Sequence, residues 1–288
     1  MPSVSSRDFL RFQDLDADTI LSIVARAQVL AAAWTDRAMP QSLAGKRVAL
    51  IVDDGGWRNT TAFDLGVRAM GGISVQPPLR FNVHETTADL AGYLDNWFDI
   101  LIVRTRDLST LDELAARATV PVINARTRSN HPCETLGDLA YVNAKRGSLA
   151  GLKVVGVAPD GNILRSWVES SISLPIQVTQ IYPEDWHIKD IASPNFATST
   201  SLDGLLEADV IITDCWPDGA RADQLLQYQI SAPLLDRCRR DVIFLPCPPV
   251  TRGREVSASA MTPPACQSTA AKAFLLHAQN ALLEWVAA

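Results

Sequence analysis

Apolar positions along this chain recur with two periods, and the two alternate. Leu15, Ile20, Ile23, Val24 and Leu30 fall near helical spacing, which predicts a helix over 16–34 capped by Asp16 or Asp18. Short, apolar, β-branched runs then alternate with helix-period segments. Strands are expected at 47–52, 73–76, 99–103 and 120–123, with helices at 60–70, 86–96 and 109–117 between them. Strands of this kind belong to a sheet covered on both faces, so this half reads as an α/β unit. A helix near 133–145 follows and is expected to join it to a second unit. There, "GSLAGLKVVGV" echoes the earlier "QSLAGKRVALIV", and strands are expected at 153–157, 176–180, 209–213 and 242–245 before a last helix at 266–286. The fold class is therefore α/β, with two doubly wound parallel-sheet domains. One spans 1–132, closed by 266–288, and the other spans 133–265.

Composition narrows the partners. The 288 residues are 47% hydrophobic and 20% charged, enough to build two cores. The net charge is −6, and no basic stripe is interleaved with aromatics, which argues against nucleic acid. No apolar run approaches the roughly 20 residues that cross a bilayer. "MPSVSSRDFLRFQDLD" lacks a signal peptide's apolar core, so a cytoplasmic protein with no membrane partner is expected. The five cysteines are odd in number and widely spaced without a CxxC, and the four histidines form no HExxH. No metal and no cofactor are expected.

In open α/β sheets, ligands bind beyond the carboxyl ends of the strands. Chemistry-bearing residues gather there. "DDGGWRNT" follows the first strand, a glycine turn leading into a helix, which is how backbone N–H groups and a helix dipole hold an anion. Arg104-Thr105-Arg106 follows the third strand, and Asn124 and His131-Pro132-Cys133-Glu134 follow the fourth. In the second half come Asp160-Gly161-Asn162, then Asp214-Cys215-Trp216, then Pro246-Cys247-Pro248-Pro249. Taken singly, each has a plain structural reading: Cys247 as a small apolar filler, His131 as a helix cap, Trp57 and Trp216 as packing groups. Their recurrence at successive strand ends is what points to a site.

In order, "FLRFQDLDADTILSIVARAQVL", "LAGKRVALIV", "TAFDLGVRAMGG", "DILIVRT", "VPVINARTRSNHPCETLGDLAYV", "DGNILRS", "ADVIITDCW", "YQISAPLL", "FLPCPPVTRGREV" and "HAQNALL" resemble the aspartate/ornithine carbamoyltransferase family, most of all its ornithine branch. The resemblance runs nearly end to end. It implies a carbamoyl phosphate domain and an amino-acid domain, small-molecule substrates, and a homotrimer with sites at subunit interfaces. It also implies catalytic roles for Arg104, His131 and Cys247, and substrate contacts from Arg58, Asn59, Thr60, Glu134, Asn162, Asp214 and Pro248.

The departures from the family pattern are equally specific. Where the family's phosphate loop reads Ser-Thr-Arg-Thr-Arg, this chain has Gly56-Trp57-Arg58-Asn59-Thr60, with Trp57 bulky enough to fill the phosphate's volume. Asp53 and Asp54 add repulsion if they point inward. Glu134 replaces a glutamine amide, with a solvated glutamate at a helix N-terminus as the structural alternative. His-Cys-Leu-Pro has become Pro246-Cys247-Pro248-Pro249, and a donor-contacting Arg has become Leu275, an apolar surface. His84 is the nearest cation candidate in the loop that a neighbouring subunit lends. Pro217-Asp218-Gly219 replaces Ser-Met-Gly, which leaves the amino-acid site half matched. Three readings stay open: a divergent carbamoyltransferase, another donor or reaction on the same fold, and a noncatalytic homologue that binds a small ligand.

Overall fold

The structure, a computed structural model, describes residues 7–288 except Asp54, Asn82, His84 and Pro263. The chain divides into two units. Unit 1 is Met1–Ala140 with Ala273–Ala288, and unit 2 is Tyr141–Lys272. The divisions fall inside two helices, α5 (Pro132–Arg146) and α9 (Ser268–Ala287), eight and seven residues later than the expected 132/133 and 265/266.

Unit 1 opens with α1 (Ala17–Thr35), and of the two candidate caps it is Asp16 that accepts from the Thr19 N–H. Then come β1 (Arg47–Val52), α2 (Trp57–Ala69), β2 (Ile73–Val75), α3 (Thr87–Trp97), β3 (Ile100–Arg104), α4 (Leu108–Ala115) and β4 (Val122–Arg126). The strands are parallel in the order β2-β1-β3-β4. Ile51, Leu101 and Val103 pack on one side of that sheet with Leu90, Leu94, Leu111 and Leu114 of α3 and α4. Burying each such side chain stabilises the unit by about 1.5–3 kcal/mol. Against the expectation that no apolar run approaches membrane-spanning length, α1 is long and apolar enough to cross a membrane by length and composition. Its Ile20, Ile23, Val24, Ala27 and Leu30 are buried within unit 1, and Arg26 pairs with Glu284 of α9 at 2.6 Å.

Two elements of unit 1 begin elsewhere than the pattern predicts. β4 runs over 122–126 instead of 120–123, because Asn124, polar yet fully buried, continues the strand by donating to the Leu10 carbonyl and to Asn130 Oδ1. The α2 helix starts at Trp57, three residues before Thr60, so Trp57, Arg58 and Asn59 form its first turn and not a loop.

Unit 2 holds β5 (Lys153–Val157), α6 (Asn162–Ser173), β6 (Gln177–Ile181), β7 (Phe196–Ser199), β8 (Val210–Thr213), the one-turn helices α7 (Ala222–Leu225) and α8 (Ala232–Leu235), and β9 (Ile243–Pro246). Its strands are parallel in the order β7-β6-β5-β8-β9. Val155, Val157, Ile181, Ile211 and Phe244 anchor the core. The apolar pattern missed α6 because Ser166, Ser170 and Ser171 are buried, the last two donating to the carbonyls of Trp167 and Val168 one turn back. It missed β7 because that edge strand is mostly exposed and carries no alternation.

Candidate active site

Strand order selects two places. In unit 1 the chain leaves β1 toward β2 on one side and returns with β3 on the other, so the order reverses between β1 and β3. In unit 2 it reverses between β5 and β8. Ligands of open parallel sheets settle at such points, where the flanking loops diverge and leave a crevice. Val52 pairs with Arg104 at the first, and Val157 with Thr213 at the second.

At the first point, the Asp53 N–H donates to the Arg104 carbonyl, which ties the start of the glycine turn to the end of β3. The Arg104 side chain is only 9% exposed, and its Nε donates to the Gly55 carbonyl at 2.6 Å. Gly56 is the N-cap of α2, with no side chain to cap the first turn and no acidic residue within it. The positive end of α2 therefore carries no built-in carboxylate. Asp53 Oδ2 accepts from the Thr105 hydroxyl at 3.4 Å, while Asp54 lies outside the described residues.

The other residues of the turn are placed unevenly. Trp57 is 68% exposed with the Arg58 guanidinium 5.0 Å from its ring centroid, so the indole does not fill a buried anion volume. Thr60 Oγ1 bonds back to the carbonyls of Gly56 and Trp57. Asn59 is buried, its carbonyl accepting from Gln279 of α9, and its side chain is not on the open rim. Of the cations here, Arg58 is exposed and Arg104 is buried on the Gly55 carbonyl.

Beside them, the turn Thr127–Asn130 delivers the N-terminus of α5. Thr127 N–H donates to the Asn130 carbonyl, and Asn130 Nδ2 donates to the Leu10 carbonyl. This buried network sets His131 just ahead of the helix. Its Nε2 is 3.9 Å from Glu134 Oε2, and both residues are buried. Glu134 is thus a buried partner of His131 rather than a solvated helix-end glutamate. Cys133 is fully buried, its Sγ donating to the Asn124 carbonyl, and burial followed by the Glu134 charge pushes its thiol well up, so it is a packing group. Leu275 is buried against the backbone of Gly137, where any Cβ would collide, and does not form an open apolar surface. His84 lies outside the described residues.

At the second point, Asn162 is the first residue of α6 and Asp214 follows β8. Asp214 Oδ1 accepts from the Cys215 N–H, and its Oδ2 lies 3.5 Å from where a Cβ on Gly161 would stand. Cys247 follows β9, its N–H bonded to the Thr213 carbonyl and its Sγ 3.8 Å from the Pro248 carbonyl. The Pro248–Pro249 bond is cis. The same edge gathers groups the sequence reading did not single out. Glu255 is 3% exposed, its Oε1 held by the Thr251 N–H while Oε2 has no partner. The Tyr182 hydroxyl and Thr213 Oγ1 are buried and also unpartnered. Burial, then Glu255 and Asp214, push the Tyr182 hydroxyl far up and the Cys215 thiol up to about 11, so both stay protonated at neutral pH. Trp216 is buried under the Arg254 guanidinium, 5.3 Å from its ring centroid. No local pattern marks Glu255, because its burial depends on residues distant in sequence.

Two family profiles match the chain. "Aspartate/ornithine carbamoyltransferase, carbamoyl-P binding domain" covers residues 7–144, and "Aspartate/ornithine carbamoyltransferase, Asp/Orn binding domain" covers 150–286. The chain is 33% identical to the ornithine carbamoyltransferase of Nitrobacter winogradskyi, covering 84% of each protein. It is 31% identical to that of Rhodopseudomonas palustris, over 97% of this chain and 96% of that one. The solved ornithine carbamoyltransferase of Pyrococcus furiosus superposes with a TM-score of 0.90 at 28% identity, over 98% of this chain and 97% of that one.

Proposed function

Because the chain belongs to the aspartate/ornithine carbamoyltransferase family, we propose that it transfers a carbamoyl group from carbamoyl phosphate to an amine of an amino acid or a related small molecule. The observation that carries this reading is the Arg104 guanidinium seated on the glycine turn at the N-terminus of α2, within the half matched by the carbamoyl-P binding profile. Arg104, Arg58 and the first-turn N–H groups receive the phosphate, and His131 donates to the carbamoyl oxygen. In the other unit Asn162 and Asp214 hold the acceptor's polar groups, with Cys247 and the Pro248 carbonyl beside them.

The chemistry needs little acid–base machinery. A neutral amine attacks the carbamoyl carbon with its lone pair and forms the new C–N bond. Charge gathers on the carbamoyl oxygen, where Arg104 and His131 stabilise it. The C–O bond to phosphorus then breaks, phosphate leaves with the electron pair, and the amine's extra proton passes to the departing phosphate. We also place the protein in the cytoplasm as a homotrimer, so its mass in solution is expected near three times 31.3 kDa.

Calorimetric titration with carbamoyl phosphate, with inorganic phosphate as control, tests the donor assignment. Saturable binding that Arg104→Ala abolishes supports it; absence of binding at millimolar donor overturns it. The buried Glu134 beside His131 favours a second reading, a donor bearing an amidinium or guanidinium in place of the carbamoyl amide. Such ligands binding in place of carbamoyl phosphate, and losing affinity in Glu134→Gln, would establish it.

A further inference from the structure

Arg254 is held in place without an ionic partner. Among the described residues it makes no ion pair, and its exposed guanidinium lies 5.3 Å from the ring centroid of the buried Trp216. The backbone beneath it is fixed at both polar groups. The Arg254 N–H donates to the Thr251 carbonyl at 3.0 Å, and the Arg254 carbonyl accepts from Gln229 Nε2 at 2.8 Å. The next residue, Glu255, is buried and anchors the turn: its Oε1 accepts from the Thr251 N–H and its carbonyl from the Ile230 N–H. Trp216 belongs to the core of unit 2, so the platform under the guanidinium is rigid. A cation stacked this way loses less freedom on engaging a carboxylate than one on a solvated stem. Trp216 also ends the run Asp214-Cys215-Trp216 that leaves β8, so one short segment carries both the Asp214 carboxylate and the floor beneath Arg254. The charges meet at one edge. After burial, Glu255 and Asp214 raise both the Tyr182 hydroxyl and the Cys215 thiol, and the Arg254 charge opposes both shifts. A carboxylate and a guanidinium that share an edge without pairing suit a ligand that carries both opposite charges.

We infer that Arg254 is a specificity-determining residue of the acceptor edge: its guanidinium, laid on Trp216, receives a carboxylate of the acceptor while Asp214 answers the same molecule's ammonium. The edge then selects a zwitterionic amino acid over the amine that lacks the carboxylate. The inference rests on the assignment of the acceptor to unit 2 proposed above. Arg254 is exposed, so replacing it leaves the core intact. Arg254→Met keeps an unbranched stem over the indole and removes the charge and its donors. Arg254→Lys restores the charge without the flat fork.

The test compares L-ornithine with 1,4-diaminobutane, the same molecule without its carboxylate, by calorimetric titration of the full chain. The wild-type chain is expected to bind L-ornithine about tenfold more tightly than the diamine. Arg254→Met is expected to weaken L-ornithine binding about tenfold and to leave the diamine unchanged, and Arg254→Lys to recover part of the loss. An unchanged preference in Arg254→Met overturns the inference. So does an equal loss for both ligands, which would mark general damage to the edge, and so does a wild-type chain that shows no preference or binds neither. Turnover of carbamoyl phosphate with L-ornithine separates the inference from the reading beneath it. A preference lost in Arg254→Met, without a ureido product from the wild-type chain, keeps the inference and removes the carbamoyl reading. A ureido product formed with a KM for L-ornithine that Arg254→Met does not change does the reverse.

Discussion

At the switch point of unit 1, between β1 and β3, stand Arg104 and Arg58 with the bare N-terminus of α2, while His131, paired with Glu134, follows the neighbouring strand β4. At the switch point of unit 2, between β5 and β8, stand Asp214 and the buried Glu255, with the protonated Cys215 and Tyr182. Both crevices arise from the same topology and from strands introduced by the same Ser-Leu-Ala-Gly phrase. Backbone architecture therefore decides where a ligand meets each sheet, and the few residues after each strand decide its charge. The function proposed above assigns the anionic donor to the first crevice and the acceptor amine to the second.

The largest break in that contrast comes from removing the cation of unit 1. Arg104→Ala is expected to weaken carbamoyl phosphate binding about a hundredfold, since at least one charge-assisted pair is lost, and calorimetry reads this directly. Asp214→Asn is the complementary test in unit 2. It should raise the KM for the acceptor amine about thirtyfold while leaving the donor Kd unchanged, and steady-state kinetics separates the two. Glu134→Gln sharpens the contrast by deleting the carboxylate from the cationic side, so donor affinity is expected to rise about tenfold.

The smallest effect concerns stability rather than either crevice. Glu284 is partly buried, which alone would raise its pKa, but hydrogen bonds from Arg26 and Ser42 hold it below its ordinary value. A depressed carboxylate contributes stability that is present above its unfolded pKa and lost as pH falls through the folded one. Glu284→Gln should therefore cost about 0.5–1 kcal/mol at neutral pH, a modest figure because Arg26 is solvent-screened. Denaturant midpoints of the two proteins should converge as the pH falls below the ordinary glutamate range.

Much of this was legible in the chain. The apolar runs at 47–52 and 153–157 coincide with β1 and β5, and Asp16, one of the two candidate caps, closes the start of α1. Polar residues at strand ends led to Arg104, His131, Asn162 and Asp214. What periodicity could not show was which strand ends are neighbours. Strand order singles out β1/β3 and β5/β8, and order depends on long-range pairing that no local pattern encodes. The rim residues failed in a related way. Asn59 looks like a loop donor until α2 is seen to start at Trp57, which turns that position toward α9. Trp57 looks like a plug until it is found exposed on the same turn. Glu255 escaped notice because its importance comes from burial beside Tyr182 and Cys215, residues far from it in sequence.

The central claim is that this chain moves a carbamoyl group onto an amine. Its most direct test is to incubate the purified protein with carbamoyl phosphate labelled with carbon-13 at the carbamoyl carbon and with L-ornithine, and to follow that carbon by NMR. The account predicts a growing ureido resonance that vanishes in Arg104→Ala. Label that decays at the protein-free rate, with no ureido carbon from L-ornithine or from a panel of other amines, would contradict it.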